Sequence, residues 1–390
     1  MSETERLVQL WKRAKARGER VYLATVVHVE GSSYRKPGAR MLVTASGERA
    51  GTISGGCLEA EVSRKIRWFT QSGPSVEEYR SSFDDDNEGV PYGLGCGGKI
   101  WILMESGPAV DEVVGGYRRA LEERVSSVIV SSIGASGPIS SSVIAEDELE
   151  TSLSDDAACL DLAKSALSER RCTAALTATG GIPELVCVPV MPPPVLRVFG
   201  AGDDAQPLIR FAVELGWDVY VADGRSHLVR PERFPEAKGL VTLKYEAADS
   251  AGGAIRVETD PLVAPGDRAV ILTHSYEQDR ALLKALLPQP VEYLGILGPL
   301  RRTVRIVDEI RGELRLSRDE CLERLHAPVG LPLGSGGPAV IALSIVAEIQ
   351  ATGARRSGSD VAARSHSEPI PMRRTQGDTA RENFSRLERV

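Results

Sequence analysis

None of the six cysteines (Cys57, Cys96, Cys159, Cys172, Cys187 and Cys321) stands in a Cys-x-x-Cys pair. That spacing carries zinc ribbons and thioredoxin-type redox motifs, so both are excluded. No apolar stretch reaches the ~18 residues of a membrane span. The opening Met-Ser-Glu-Thr-Glu-Arg is followed by no apolar core of a signal peptide. A net charge of −7 leaves no basic excess that would make nucleic acid the main partner. A cytoplasmic protein with mostly reduced thiols is therefore expected.

What remains is an ordinary globular composition, with 42% hydrophobic and 26% charged residues in a chain of 390. At roughly 100–200 residues per domain, that length implies two or three domains. The clearest boundary is Met191-Pro192-Pro193-Pro194. Three prolines continue neither a helix nor a central strand, and they stiffen a linker. The expected fold is α/β: a mixed α/β domain over 1–190, a Pro-rich linker at 191–195 and a Rossmann-like doubly wound domain over 196–353. A disordered tail is expected over 354–390, which carries eight Arg, five acids and few large apolar residues.

Gly51-Thr52-Ile53-Ser54-Gly55-Gly56-Cys57-Leu58-Glu59 ends an apolar run, bends at two glycines and places a cysteine at the start of an expected helix. A cysteine there faces unpaired N–H groups and the positive end of the helix dipole, which favour the thiolate. The same residues also fit a tight turn before a small buried cysteine. A second cysteine lies among glycines in Gly93-Leu94-Gly95-Cys96-Gly97-Gly98, just before an expected strand at 99–104. Between an expected strand at 21–27 and a hairpin at 41–53, residues 28–40 mix hydroxyls with Arg35, Lys36 and Arg40. This loop reads either as an anion holder or as a solvated turn. Asp84 to Glu88 reads as a solvated acidic turn.

After the prolines, the strand at 195–199 runs into Gly200-Ala201-Gly202-Asp203-Asp204-Ala205, a G-x-G-x-x-A turn that opens a helix. Asp223 follows Gly202 by 21 residues at the end of the next strand, close to the spacing of a ribose-binding acid. Asp203 and Asp204 oppose a dinucleotide, since they sit where its pyrophosphate would rest. His274, Gly298 and Arg301 fall at further strand ends, where ligands of open α/β sheets bind. His274 fits a general acid–base role or a turn residue. Ser317 and Glu320 form a capping box, and an apolar helix is expected over 339–350.

These residues resemble the XdhC/CoxI family of accessory proteins of xanthine dehydrogenase and related molybdenum hydroxylases. The likeness rests on Gly31 to Met41, Ser54 to Glu59 and Gly93 to Gly98 in the first half. In the second it rests on Gly200 to Ala205, Thr273-His274, Gly295 to Gly298 and His326 to Gly334. The resemblance implies an N-terminal XdhC/CoxI-type domain followed by a Rossmann module. It implies a cofactor chaperone, not an oxidation catalyst, that carries molybdenum cofactor as cargo. The implied partners are a molybdenum hydroxylase apoenzyme, a cysteine desulfurase that sulfurates the cofactor, and a second copy in a homodimer. The Cys spacings of iron–sulfur clusters that the hydroxylase itself would need are absent.

On this reading the cofactor meets Ser54, Gly55, Gly56, Cys57, Glu59, Cys96 and Gly97. Cys57 is the soft ligand available to molybdenum, and Arg35, Lys36 and Arg40 receive the phosphate. Gly200, Gly202, Asp223 and His274 hold the phosphate or nucleotide end in the second domain, or that domain binds a partner. The rival reading is an NAD(P)-dependent oxidoreductase with Asp223 on the ribose and His274 as acid–base. The sequence departs from the family pattern at Asp203 (commonly His), at Pro299 (commonly Ser in Gly-Ser-basic), and at Ser335 to Pro338, where an acid is common.

Overall fold

The structure is a computed structural model and describes residues 1–80, 98–133, 138–175, 181–248, 253–257, 262–334 and 336–356. Cys96, Gly97, the acidic stretch 84–88, and the tail from 357 lie outside the described residues.

The first half holds α1 (Glu3–Ala16), β1 (Val21–Glu30), β2 (Arg40–Thr44), β3 (Arg49–Gly51), α2 (Glu59–Phe69), β4 (Ser75–Arg80), β5 (Lys99–Ser106) and α3 (Pro108–Glu122). It continues through β6 (Ser127–Ser132), β7 (Ser140–Ala145), α4 (Leu149–Ser152), α5 (Ala157–Glu169), β8 (Thr173–Ala175) and β9 (Leu185–Val190). Two antiparallel sheets result, ordered β3-β2-β1-β5-β4 and β7-β6-β9-β8.

Each sheet buries both faces, which explains the unbroken apolar runs of β1 and β5. Leu23, Leu42 and Leu103 of the first sheet and Ile129, Val186 and Val188 of the second share one core with Leu7 and Val8 of α1 and Val110, Val113 and Val114 of α3. The opposite face of the first sheet packs Tyr22, Val26, Met41 and Ile102 against Leu58, Val62 and Ile66 beneath α2. The opposite face of the second sheet is covered by Cys159, Ala163 and Ala166 of α5. α1 starts at a capping box, in which Ser2 Oγ accepts from the Glu5 N–H and the Glu5 carboxylate accepts from the Ser2 N–H.

Met191 to Pro194 runs extended into the second half. There follow β10 (Val195–Phe199), α6 (Ala205–Glu214), β11 (Asp218–Asp223), β12 (Gly239–Thr242), β13 (Tyr245–Ala248), β14 (Gly253–Val257), β15 (Arg268–Ile271) and α7 (Tyr276–Leu286). The half ends with β16 (Tyr293–Ile296), α8 (Leu300–Leu314), α9 (Arg318–Glu323) and α10 (Pro338–Arg356). The five-stranded sheet β12-β11-β10-β15-β16 is parallel throughout. α6 and α10 cover one face, and α7 and α8 cover the other. This is the doubly wound Rossmann-type layer with β10 at the centre. Its topological switch point lies between β10 and β15. β13 and β14 form a separate antiparallel pair that the sequence pattern did not signal. α10 runs on to Arg356, past the boundary expected at 353.

The halves meet along the linker. Arg124 reaches Asp218 Oδ2 at 2.9 Å and the Pro193 carbonyl at 2.8 Å. Arg170 lies 3.4 Å from Glu292. A cleft of about 510 Å³ lined by Arg124, Met191 to Val195, Asp267 and Glu292 lies there, at the amino ends of β10 and β15. It therefore opens on the sheet edge opposite the switch point.

Candidate functional site

The turn between β3 and α2 is organised by Glu59. Its Oε1 accepts from the backbone N–H of Ile53, Ser54 and Gly55 at 3.0, 2.9 and 3.1 Å. Its Oε2 accepts from Ser54 Oγ at 2.6 Å and from the Gly56 N–H at 2.9 Å. Ser54 Oγ in turn accepts from the Leu58 N–H at 2.8 Å. The amides that could cradle an outside anion thus wrap the chain's own carboxylate. Burial alone would push Glu59 up, but the Ser54 hydroxyl and the ring of amides outweigh it and hold the carboxyl at about 2. Gly55 and Gly56 sit at φ 93° and 124°, where only glycine is at ease.

Two expectations change here. α2 begins at Glu59 with Leu58 as its cap residue, so Cys57 precedes the helix and does not open it. The nearby N–H groups are committed to Glu59, so the helix-terminus argument for this cysteine no longer applies. Cys57 is also not a buried core residue, because it is exposed together with Gly55 and Gly56. Glu59 serves as the internal anchor of the turn, and its carboxylate is not free for a cofactor.

The basic loop divides in the same way. Arg35 donates through Nε to Thr52 Oγ1 at 2.7 Å and through Nη2 to Glu3 at 2.7 and 2.8 Å. Glu3 also accepts from the Thr52 N–H at 2.9 Å, so the first turn of α1 clamps the loop to the Cys57 turn. Arg40 is buried; its Nε reaches Thr25 Oγ1 at 3.1 Å, and Nη1 meets the Tyr117 hydroxyl. Its strand position on β2, facing the core, puts the guanidinium inside the domain and not on a phosphate. Lys36 alone of the three is exposed. Tyr34 is 74% exposed, and its Cβ lies about one van der Waals contact from where a Gly55 side chain would stand. A Cβ on Gly98 would overlap the Ser32 carbonyl, so Gly98 packs closely on this same segment. The segment 31–36 therefore touches both the Cys57 turn, through Tyr34, and Gly98, through Ser32.

In the second half, the switch point is filled by the chain's own polar groups. Asp223 is fully buried. Its carboxylate accepts from the Ala201 N–H at 2.7 Å and the Arg225 N–H at 2.8 Å, and from the Arg225 guanidinium at 3.0 and 2.7 Å. Burial raises this carboxyl, but the Arg225 donors and the Ala201 amide outweigh it and leave it below its ordinary value. The ribose role expected of Asp223 gives way to a tie between the Gly-rich turn and β11. A Cβ at Gly200 would overlap the Leu272 carbonyl, which is why this turn needs glycine so close to β15.

Asp204 folds back over Gly202, its Oδ1 2.7 Å from where a Cβ would be. Its Oδ2 lies 2.7 Å from His274 Nε2. His274 holds φ 59°, a left-handed conformation uncommon outside glycine, and this turn aims the imidazole across the switch point. Asp203 points outward to Arg233 at 3.0 Å. Beneath His274, the buried Asp279 accepts from Thr273 Oγ1 at 2.5 Å and pairs with Arg302 at 2.6 Å. Gly200, Gly202, Asp223 and His274 are thus brought to one sheet edge, as expected.

The partners Glu3, Thr52 and Arg225 were not singled out from the sequence. An arginine two residues past the strand-ending acid was the available signal for Arg225. Glu3 had none, because its contacts lie 32 and 49 residues away. Among the described residues no group of three or more His, Cys, Asp or Glu side chains is arranged to hold a metal ion. No helix among them is long and apolar enough to cross a membrane.

Residues 14–80 match the model of the XdhC and CoxI family, and residues 196–349 match the XdhC Rossmann domain. The chain is 31% identical over 338 residues to a probable xanthine dehydrogenase subunit from Bacillus subtilis, covering 85% of this chain and 92% of that protein. It is 24% identical over 337 residues to the molybdenum cofactor insertion chaperone PaoD of Escherichia coli, covering 85% and 83%. The crystal structure of a xanthine dehydrogenase from Bacillus halodurans matches with a TM-score of 0.66 at 28% identity, over 95% of this chain and 98% of that one. With identity of this level across most of both chains, the protein belongs to the XdhC and CoxI family.

Proposed function

We propose that this protein is an accessory factor that carries molybdenum cofactor at the Cys57 turn. It supports sulfuration of the cofactor by a cysteine desulfurase and inserts it into a xanthine dehydrogenase-type apoenzyme. The observation that carries this reading is the exposed thiol of Cys57 on a turn locked from within by Glu59. A soft sulfur held on a rigid, open loop suits a metal that must be bound and later released. Family membership and the insertion chaperone among the relatives support the same assignment. Lys36 is the cation left to meet a phosphate, since Arg35 and Arg40 already serve Glu3, Thr25 and Tyr117. Cys96 and Gly97, outside the described residues, are proposed to meet the same cofactor.

The second reading, an NAD(P)-dependent oxidoreductase, is favoured by the strand order and the G-x-G-x-x-A turn alone. Against it stand Asp204 over Gly202 and the saturated carboxylate of Asp223. To test the proposal, protein from cofactor-making cells is assayed for molybdenum and pterin, then mixed with a cofactor-free hydroxylase. Bound cofactor and restored hydroxylase activity are expected. Hydride transfer from NADH to a carbonyl compound, with no molybdenum bound, would favour the rival.

A further inference from the structure

The sheet-facing side of α2 is buried through Val62 and Ile66. Its opposite side has no covering element among the described residues. Ala60, Arg64, Arg67 and Trp68 are all exposed there. At 3.6 residues per turn these four positions fall within an arc of about 100°. Trp68 is 66% exposed, although it is the largest side chain type. It is held edge-on against Phe69 with ring centroids 5.0 Å apart. Arg64 and Arg67 meet no carboxylate among the described residues; Arg67 has only the Ala45 carbonyl at 3.5 Å. Lys65, one position away, is by contrast paired with Glu61 at 2.6 Å. At the amino end of the same helix lie the exposed Gly55, Gly56 and Cys57.

Tryptophan and arginine are the side chains most enriched in interface hot spots, and a tryptophan braced on a neighbouring ring loses little freedom when it docks. Two guanidiniums beside it that meet no carboxylate among the described residues, on a molecule of net charge −7, select a carboxylate-bearing surface and repel a basic one. We propose that the outer face of α2 is the docking surface for an acidic patch on a partner protein. A partner seated there has the Cys57 turn at its margin, since Glu59 to Trp68 spans only roughly 14 Å of helix. This inference rests on the delivery reading above for the identity of the partner, which is the recipient apoenzyme. Its chemistry rests on Arg64, Arg67 and Trp68 alone.

The test uses the full chain and the cofactor-free xanthine dehydrogenase-type hydroxylase of the source organism. Affinity is measured at low and high salt, with Trp68→Ala and the double variant Arg64→Glu/Arg67→Glu beside the parent. The parent is expected to bind and to weaken with salt. Each variant should lose about tenfold or more in affinity, and the double variant should lose the salt dependence. Melting temperature and molybdenum content of the variants should match the parent. Variants that bind like the parent, or a parent that does not bind, would overturn the docking surface. A change in the sedimentation of the variants alone would overturn it in favour of a second copy on this face. Failure of the carriage reading is seen separately, as absence of molybdenum from the parent.

Discussion

Glu59 settles how the residues of the Cys57 turn divide their work. Four backbone amides and the Ser54 hydroxyl converge on one carboxylate. The turn keeps its shape without a ligand, and Cys57 is left outside. Glu59→Gln turns one acceptor oxygen into a donor facing Ser54 Oγ and the Gly56 N–H. It is expected to cost about 2 kcal/mol in urea unfolding. The wild-type turn carries its own pH dependence. The folded carboxyl lies near 2, below its ordinary 4.5. Its stabilisation is therefore full above pH 4.5 and is lost as pH falls through about 2. The Glu59→Gln variant should lack this part of the acid unfolding curve. Cys57 is also expected to be alkylated quickly in the native state. Cys172 and Cys187, pushed up to about 11 and about 12 by burial, should react only on unfolding. Mass spectrometry of the alkylated peptides reads the difference; equal rates would contradict the assignment. The sequence made the Ser-Gly-Gly-Cys turn visible through its glycines. It did not reveal that Glu59 closes the turn, because a carboxylate reads alike as a solvated first-turn acid and as a buried anchor.

At the scale of elements, local pattern was a good guide wherever a segment carries a clear cap, turn or apolar run. The α9 capping box, the β2–β3 hairpin and the parallel strands around the Gly-rich turn all stand where the pattern put them. The β13–β14 pair was missed because its pattern is weak and it lies outside the main sheet. What the Gly200–Ala205 turn binds was not legible either. Its spacing fits a dinucleotide, but Asp204, His274 and Arg225 are supplied by three separate strand ends. Since Asp204 occupies the phosphate position, NADH titration of the parent is expected to show no micromolar binding. Asp223→Asn leaves Arg225 without its partner and loosens the turn, which should cost about 3 kcal/mol in chemical unfolding. A variant as stable as the parent would show that the tie is unimportant.

At the scale of the whole molecule, two antiparallel sheets precede the Pro-rich segment 191–194 and a parallel one follows it. The contacts between the halves were not legible, since Arg124 and Asp218 lie 94 residues apart. Arg124→Ala removes both the Asp218 pair and the bond to the Pro193 carbonyl. Several-fold faster proteolysis within the linker is expected, with little change in melting temperature because the pair is partly exposed.

The central claim, that the first module carries molybdenum cofactor at Cys57, is tested most directly by molybdenum content. Parent and Cys57→Ala proteins are purified from the same cofactor-making cells and analysed for molybdenum per chain. The account predicts close to one molybdenum per parent chain and a large loss in the variant at unchanged melting temperature. A parent without molybdenum would contradict carriage, and a variant that holds as much as the parent would contradict the role of Cys57.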